Sequence, residues 1–486
     1  MKLLWIAQIA KHNSYSKVSM DYIETIRNLS NWDLRLFDIS NDTPQSHIFN
    51  AVIEFQPDFV IILHNASNLR DIVQRLATIR SEWSGTLVGF VPIDMAKLKK
   101  GAITGMCCQN FWTMNNWAST QIGEDANVGV LEHIVEDYYQ FSERKRVSAK
   151  KKHYGIYWNR FIVGMVNANN CRKRLDLGIH AFRLFQKRVP NSLLVIKTTK
   201  AEKGFSGGVY EDWNTFTQDL PVLILDERYT EFELNELYNS FDLIINPTDG
   251  EGFGMTPFEA ALSGVLSIVP LHTSFLALLP EGDNSRFCLG VDFVPCEYAR
   301  TAIDYLRHSR GGDKMLFASG VSDGLGTSEI TPFKIPFQKE VSKTYTFSSL
   351  DQELYFKTME DIIDQINRDR PSSFQIAVTS DLESLRLYLD WSLEKGLTGQ
   401  ISSEYSIVTT SSSSIMSYVG RDQPVVGIID PQELSDKMMF YYLNPDVKLE
   451  DVVRFQQHVK EHFNSKKILD KMTNLLKELL LKKQLQ

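Results

Sequence analysis

Two glutamates and the glycines between them are the residues of this chain best suited to chemistry. Glu251 and Glu259 begin and end the segment EGFGMTPFE. Gly252 and Gly254 place no side chain between the backbone and a ligand. A carboxylate accepts charge-assisted hydrogen bonds from hydroxyl donors such as those of a sugar or a ribose. The spacing therefore predicts a site for a ligand rich in hydroxyl groups.

The residues around these glutamates predict a strand, a loop and the start of a helix. Residues 241–246 form an apolar run typical of a buried parallel strand, and residues 247–250 end it. We expect Pro257 at the first helical position and a capping box between Thr256 and Glu259. The free N–H groups of this helix start would suit a diphosphate. The alternative interpretation is that Glu259 only caps the helix and that Glu251 is a solvated loop residue.

The segment PTDGEGFGMTPFEAALSGVLSIV resembles the donor site of the retaining nucleotide-sugar glycosyltransferases of GT-B fold, glycosyltransferase family 4. The resemblance implies an α/β fold in which two Rossmann-like domains with doubly wound parallel sheets face a cleft. It also implies that Glu251 contacts the transferred sugar and that Glu259 holds the ribose hydroxyls. Sugar and phosphate would further contact the backbone of Gly252, Phe253, Gly254, Met255 and Thr256.

A second stretch, VNANNCRKRLDLGIHAFRLF at residues 166–185, resembles the phosphate-binding segment of the same family. Lys173 matches the lysine of that segment, whereas Ala168 stands in the place of its arginine. We expect Arg172 to replace that arginine as a phosphate clamp, because a guanidinium group binds phosphate oxygens in pairs. The alternative is that Arg172, Lys173 and Arg174 are the solvated first turn of a helix.

Polar residues that follow apolar runs in the first half are candidates for the opposite wall of the cleft. Ligands of parallel sheets bind at the carboxyl ends of the strands. His64 and Asn65 follow the run at 59–63, and Asp94 follows the run at 86–91. His64 is a candidate contact to the donor sugar, and the alternative is a satisfied core histidine.

The loop after the first predicted strand has no glycine between residues 10 and 20. Acceptor or phosphate contacts from this loop would therefore come from side chains. The candidates are Lys11, Ser14 and Ser16.

Composition limits the classes of partner. The 486 residues carry 52 basic and 60 acidic side chains, a net charge of −8, which gives no general attraction to nucleic acid. The five cysteines show no metal-ligand spacing, which favours a reducing compartment. No apolar run reaches the length of about 18 residues that a spanning helix needs. We expect a cytoplasmic protein that needs no cofactor and no metal.

Alternation of apolar runs with helical patterns predicts βαβ units, and the rhythm restarts after residue 160. We predict an N-terminal, acceptor-side domain at 1–155 and a nucleotide-sugar domain at 156–296. An α/β insertion of unknown role would occupy 297–422, and residues 423–486 would complete the second domain with closing helices. The polar run ERKRVSAKKKH at 143–153 has no period and suits a linker.

The resemblance implies transfer of a hexose-type sugar from a UDP- or GDP-linked donor to a hydroxyl of a glycan or glycoconjugate. It implies that the anomeric configuration is retained. The chain has no D-x-D pair for a metal-bound diphosphate, so we predict that Lys173, Arg172 and a helix dipole replace the metal. One alternative is a catalytically impaired GT-B-like nucleotide-binding or scaffold protein, because Ala168, Ile134 in place of a family glycine, and the glycine-free first loop depart from the family. A dinucleotide-dependent oxidoreductase is disfavoured, because no GxGxxG follows the first predicted strand.

Two basic stretches bear on membrane contact: the run at 143–153 and the C-terminal sequence from residue 465 onwards, which carries a leucine stripe. One interpretation is a weak peripheral contact with a membrane. The other is a solvated linker and a core-facing helix that crosses back to the first domain. The stripe consists of Ile468, Leu469, Met472, Leu475, Leu476 and Leu479.

Overall fold

A computed structural model describes the fold of the chain. The described residues are 1–10, 14–39, 45–64, 66–79, 81–94, 109–122, 126–135, 138–169, 171–199, 217, 219–280, 286–295, 343–347, 374–378, 405–410, 415–420 and 425–485. They contain two six-stranded sheets and two smaller ones.

The first sheet consists of β1 (Lys2–Ala7), β2 (Asp33–Asp38), β3 (Phe59–Leu63), β4 (Thr86–Phe90), β5 (Asn110–Thr113) and β6 (Asn127–Val130). Its order is β2-β1-β3-β4-β5-β6, and every neighbouring pair is parallel. The flanking helices are α1 (Ser14–Leu29), α2 (Gln45–Phe55), α3 (Ala66–Ala77) and α4 (Asn116–Ser119). Strand β3 is buried along its whole length, as expected for a strand covered on both faces. The strands predicted at 59–63 and 86–91 are confirmed.

The segment predicted as a linker between the two domains is helix α5 (Glu143–Tyr154), followed by a 3₁₀ turn at Gly155–Tyr157. Ser142 caps it, because its hydroxyl accepts a hydrogen bond from the N–H of Lys145. Arg146 and Lys150 both pair with Asp242, which directly precedes the strand at Leu243–Ile245 of the second sheet. The sequence did not indicate a helix here, because distant carboxylates stabilise this polar segment, which has no apolar period of its own.

The second sheet consists of β7 (Phe161–Val166), β8 (Ser192–Lys197), β9 (Val222–Leu225), β10 (Leu243–Ile245), β11 (Ser267–Pro270) and β12 (Cys288–Leu289). Its order is β12-β11-β10-β7-β8-β9, again parallel throughout. Helices α6 (Leu175–Arg188), α7 (Glu231–Asn239), α8 (Met255–Leu262) and α9 (Phe275–Leu278) accompany it. The expectation of two doubly wound parallel sheets is confirmed.

Each sheet has a point where the strand order reverses, between β1 and β3 in the first sheet and between β7 and β10 in the second. Loops at the carboxyl ends of the two strands diverge there and leave a crevice in which ligands of open α/β sheets bind. The loops after β7 and β10 contain the two stretches that the sequence singled out. The topology therefore brings Lys173 and Glu251 to one place.

The predicted insertion contains a sheet of its own. An antiparallel pair, β13 (Asp292–Pro295) and β18 (Val425–Ile428), joins its two ends. Between them lie β14 (Lys343–Phe347), β15 (Phe374–Val378), β16 (Tyr405–Thr410) and β17 (Ile415–Gly420). These four strands form a mixed sheet of order β14-β15-β17-β16.

The chain closes with α10 (Pro431–Leu443), α11 (Pro445–His462) and α12 (Ser465–Leu485). Helix α12 packs on α1, and Lys471 lies 2.6 Å from the Glu132 carboxylate of the first domain. The prediction that the last helix crosses back is confirmed. In the described part of the chain, no helix is long and apolar enough to cross a membrane. The buried members of the leucine stripe are Ile468, Leu469, Met472, Leu476 and Leu479.

Candidate functional site

Glu251 lies between two cations at the switch point of the second sheet. Its carboxylate is 2.5 Å from Nζ of Lys173 and 2.8 Å from Nη1 of Arg172. The residue is only 4% exposed, so the alternative of a solvated loop glutamate is wrong. Burial alone would raise the pKa of Glu251, but Arg172 and Lys173 together lower it to about 2. The carboxylate is therefore an anion held between fixed positive charges.

The two cations belong to a 3₁₀ turn, Cys171–Lys173, that precedes α6. The alternative of a solvated helix start is wrong, because the Lys173 side chain is only 14% exposed and that of Arg174 is fully buried. Burial lowers the pKa of Lys173, and the charge of Glu251 opposes this change. Ala168, in contrast, is exposed beside this turn. The site thus has the predicted Arg172–Lys173 pair and no side-chain cation at position 168.

Arg174 connects the two loops that form the site. Its backbone is left-handed, with a φ of 48°, and Nη1 donates to Asp249 over 2.8 Å. The backbone N–H of Asp249 in turn donates to the carbonyl of Arg172 over 2.8 Å. Burial raises the pKa of Asp249 to about 7, although Arg174 opposes this rise. These contacts fix Asp249, and with it Glu251, against the turn that carries the cations.

The first domain contacts this site directly. Nε of Arg172 is 3.2 Å from the carboxylate of Asp94, and Asn115 donates to the carbonyl of Gly252 over 2.8 Å. A Cβ at Gly252 would lie 2.9 Å from Pro92, and one at Gly250 would collide with the carbonyl of Asp94. Asp94, a cleft candidate from the sequence, therefore lies against Arg172. The glycines are needed for the close approach of the two domains, which the sequence did not indicate.

The remaining first-domain candidates differ in burial. His64 is buried at the end of β3, and its ring centroid is 5.4 Å from that of Tyr15. Burial raises the pKa of Tyr15, and the neighbouring Asp94 raises it further. His64 is therefore a buried residue packed against Tyr15. Ser14 is exposed at the start of α1, whereas Lys11 and Asn65 lie outside the described residues.

Helix α8 begins earlier than the sequence predicted. Gly254, with a φ of 83°, is its N-cap, so Pro257 is the third helical residue. The hydroxyl of Thr256 donates to the carbonyl of Val166 over 3.0 Å. The capping box and the first-position proline were therefore wrong, because a left-handed glycine starts the helix and Thr256 connects it to β7. Met255 is the first helical residue, and Phe253 packs in the core.

Glu259 lies on α8 beneath a first-domain lysine. It accepts a hydrogen bond of 2.8 Å from the hydroxyl of Tyr238. Nζ of Lys17 is 4.0 Å from its carboxylate but only 2.9 Å from Asp21. Burial raises the pKa of Glu259 to about 7; Lys17 opposes this rise and the charge of Glu231 adds to it. Because burial outweighs the charge of Lys17, which lies closer to Asp21, the carboxyl of Glu259 is partly protonated near neutral pH.

Sequence reasoning missed several contacts of the site. Lys17 and Asp21 stand four residues apart on α1, a spacing that indicates an ion pair. Asn115 comes two residues after the end of β5, and the strand-end rule would have found it. Tyr238 offered no local pattern, since its bond to Glu259 spans 21 residues.

The arrangement suits an anion that also carries hydroxyl groups. Within the described ranges, no group of three or more His, Cys, Asp or Glu side chains could hold a metal ion. Guanidinium and ammonium groups such as those of Arg172 and Lys173 can bind phosphate oxygens, and carboxylates such as those of Glu251 and Glu259 can accept hydrogen bonds from hydroxyls.

The structure is similar to that of sucrose-phosphate synthase (tll1590) from Thermosynechococcus elongatus, with a TM-score of 0.53, 7% identity and 99% of each chain covered. HepE from Anabaena, solved with UDP and glucose, gives a TM-score of 0.47 at 13% identity, covering 60% of this chain and 86% of that one. A glycosyltransferase from Rickettsia africae ESF-5 gives 0.44 at 13% identity, covering 60% and 84%. No family model and no curated protein sequence matches the chain. At 7% identity the synthase shows the fold alone, and that fold is GT-B.

The raised pKa of Glu259 predicts a pH-dependent stability. The ordinary value is 4.5 and the folded value about 7, so the native state binds more protons between these values and its stability falls as pH rises. Glu259→Gln removes this loss. We expect the free energy of unfolding of the variant, measured with urea, to rise by about 1–3 kcal/mol relative to that of the wild type as the pH is raised from about 5 to about 8.

The matched control is Glu251→Gln. The pKa of Glu251 lies at about 2, so its carboxyl group does not titrate in that range. Its difference from the wild type should stay constant between the two pH values. A Glu259→Gln difference that is equally constant would contradict the assignment.

Proposed function

We propose that this protein of GT-B fold is a glycosyltransferase that moves a sugar from a nucleoside diphosphate sugar to an acceptor hydroxyl. The observation that carries the proposal is the buried Glu251 between Arg172 and Lys173 at the switch point of the second sheet. A carboxylate next to two cations can bind the hydroxyls of a sugar while the cations bind the adjoining diphosphate.

Each group has a distinct role in this proposal. Lys173 and Arg172 bind the diphosphate, which replaces Glu251 as their counter-ion. Glu251 then accepts hydrogen bonds from the sugar hydroxyls, and Glu259 accepts them from the ribose. Because negative charge grows on the diphosphate as it leaves, cations held in place beforehand stabilise the transition state by about 3–4 kcal/mol per donor.

The reaction breaks the bond between the anomeric carbon and the diphosphate oxygen and forms a bond from that carbon to the acceptor oxygen. The resemblance of EGFGMTPFE to family 4 favours retention of configuration, with the acceptor attacking the face that the diphosphate leaves. The acceptor proton passes to the departing diphosphate, so no protein base is required. The resemblance also favours a UDP- or GDP-linked hexose and a glycan or glycoconjugate acceptor.

A second candidate is a protein of this fold that binds the nucleotide without turnover. Ala168 favours it, because this exposed position offers no guanidinium group to the diphosphate. Arg172 compensates in our proposal, since its guanidinium already lies at the site. The two candidates differ in turnover and agree in nucleotide binding.

A donor screen separates them. We expect release of UDP, GDP or ADP from one member of a sugar-nucleotide panel in the presence of glycan acceptors. Glu251→Ala and Lys173→Ala should each lower kcat/KM by about 10²–10³-fold, because each removes a group that acts on sugar or leaving group. Lys187→Ala, which alters an exposed lysine of α6, is the matched control and should match the wild type.

Nucleotide binding without turnover of any donor would support the second candidate. Absence of both binding and turnover would refute both.

The proposed activity is also predicted to be independent of metal. Arg172 and Lys173 supply positive charge at the position of the diphosphate, so turnover with and without a chelator should be equal. A loss of turnover in chelator that added Mn²⁺ restores would show that a metal contributes this charge.

A further inference from the structure

The turn that follows α5 exposes three consecutive large apolar or aromatic residues. Ile156 is 83% exposed, Tyr157 46% and Trp158 39%. Single exposed apolar side chains are common on soluble proteins, but a contiguous group marks an interaction site. Tryptophan and tyrosine are moreover the residues enriched where a membrane meets water.

Each aromatic ring of this turn carries a cation over its face. Nζ of Lys151 lies 4.9 Å from the ring centroid of Trp158. The guanidinium carbon of Arg160 lies 4.5 Å from that of Tyr157. The turn therefore combines apolar surface and positive charge in one small area.

Three cations of α5 pair with carboxylates of the second domain. Arg146 and Lys150 pair with Asp242, and Lys152 pairs with Glu236 on α7. The only acidic residue of α5, Glu143, stands at the end of the helix remote from the turn.

The outer side of α5 continues the surface of the turn. Val147 and Lys151 are both exposed, and since they are four residues apart they share one face of the helix. This outer face therefore continues into the turn and carries Lys151, whereas the carboxylates that pair with α5 contact Arg146, Lys150 and Lys152.

We propose that an anionic lipid bilayer binds this surface, which we call the anchor turn and define as Lys151, Ile156, Tyr157, Trp158 and Arg160. Ile156 enters the boundary of the acyl chains, the two rings lie at the level of the head groups, and Lys151 and Arg160 contact lipid phosphates. The proposal does not depend on the proposed function.

The size and place of the anchor turn favour a bilayer over a protein. A stable protein interface buries about 800 Å² on each partner, more than three consecutive residues supply, whereas a bilayer requires no matching shape. The anchor turn precedes β7 and so lies at the amino end of that strand, whereas the candidate site lies at its carboxyl end. Membrane binding would leave the cleft accessible. Five of the six residues of the leucine stripe of α12 are buried, so the stripe does not compete for this role.

Sedimentation with vesicles tests the proposal on the full chain. We expect the wild type to bind vesicles of phosphatidylcholine and phosphatidylglycerol, to bind pure phosphatidylcholine less, and to bind less as salt is raised. The double variant Ile156→Ser, Trp158→Ser should bind the anionic vesicles more weakly by a factor of about ten or greater. Lys151→Glu with Arg160→Glu keeps the apolar residues and should abolish only the preference for anionic lipid.

The matched control is Leu481→Ser, an exposed leucine beside Lys482 and Lys483 on α12, which should bind as the wild type does. Circular dichroism establishes that each variant is folded. Equal binding by the wild type and the double variant, or absence of binding by the folded wild type, would overturn the proposal. So would a wild-type dimer that the double variant dissociates without any change in vesicle binding, since a second copy would then occupy the anchor turn.

Discussion

The buried charge of Glu251 is the constraint on which the rest of the site depends. A carboxylate removed from water costs several kcal/mol unless cations and hydrogen-bond donors surround it. Lys173 and Arg172 provide that environment, and they can reach it only because β7 and β10 are neighbours in the sheet. Arg172 in turn extends to Asp94 of the first domain. One carboxylate therefore connects two loops of the second domain with the facing wall of the cleft.

This arrangement keeps the cations in place before any ligand arrives. In our account a diphosphate replaces Glu251 as counter-ion. The fold already orders the side chains of Lys173 and Arg172, so ligand binding does not have to order them. Arg174 and Asp249 connect the same loops through a hydrogen bond between two buried side chains. Glu259 differs from Glu251 in that its nearest cation, Lys17, lies closer to Asp21. Two glutamates of one motif therefore have pKa values displaced in opposite directions.

The sequence predicted those features that depend on local pattern and strand order. The apolar run 59–63, the loop with Glu251 and the helix after it follow from periodicity and glycine content, and the strand-end rule located Asp94. Helix α5 could not be predicted, because its support comes from Asp242, far along the chain. The capping box failed for a similar reason, since Thr256 bonds to the carbonyl of Val166 on another element. Local patterns are overridden where a distant partner offers a better contact.

The central claim is that Glu251 is the internal counter-ion of the cations that bind the diphosphate. The most direct test is calorimetric titration of the wild type and Glu251→Gln with UDP, GDP and ADP, none of which carries a sugar. The account predicts that Glu251→Gln binds the preferred nucleoside diphosphate about tenfold more tightly, because a competing negative charge has been removed from Lys173 and Arg172. Unchanged or weaker binding by Glu251→Gln would contradict it.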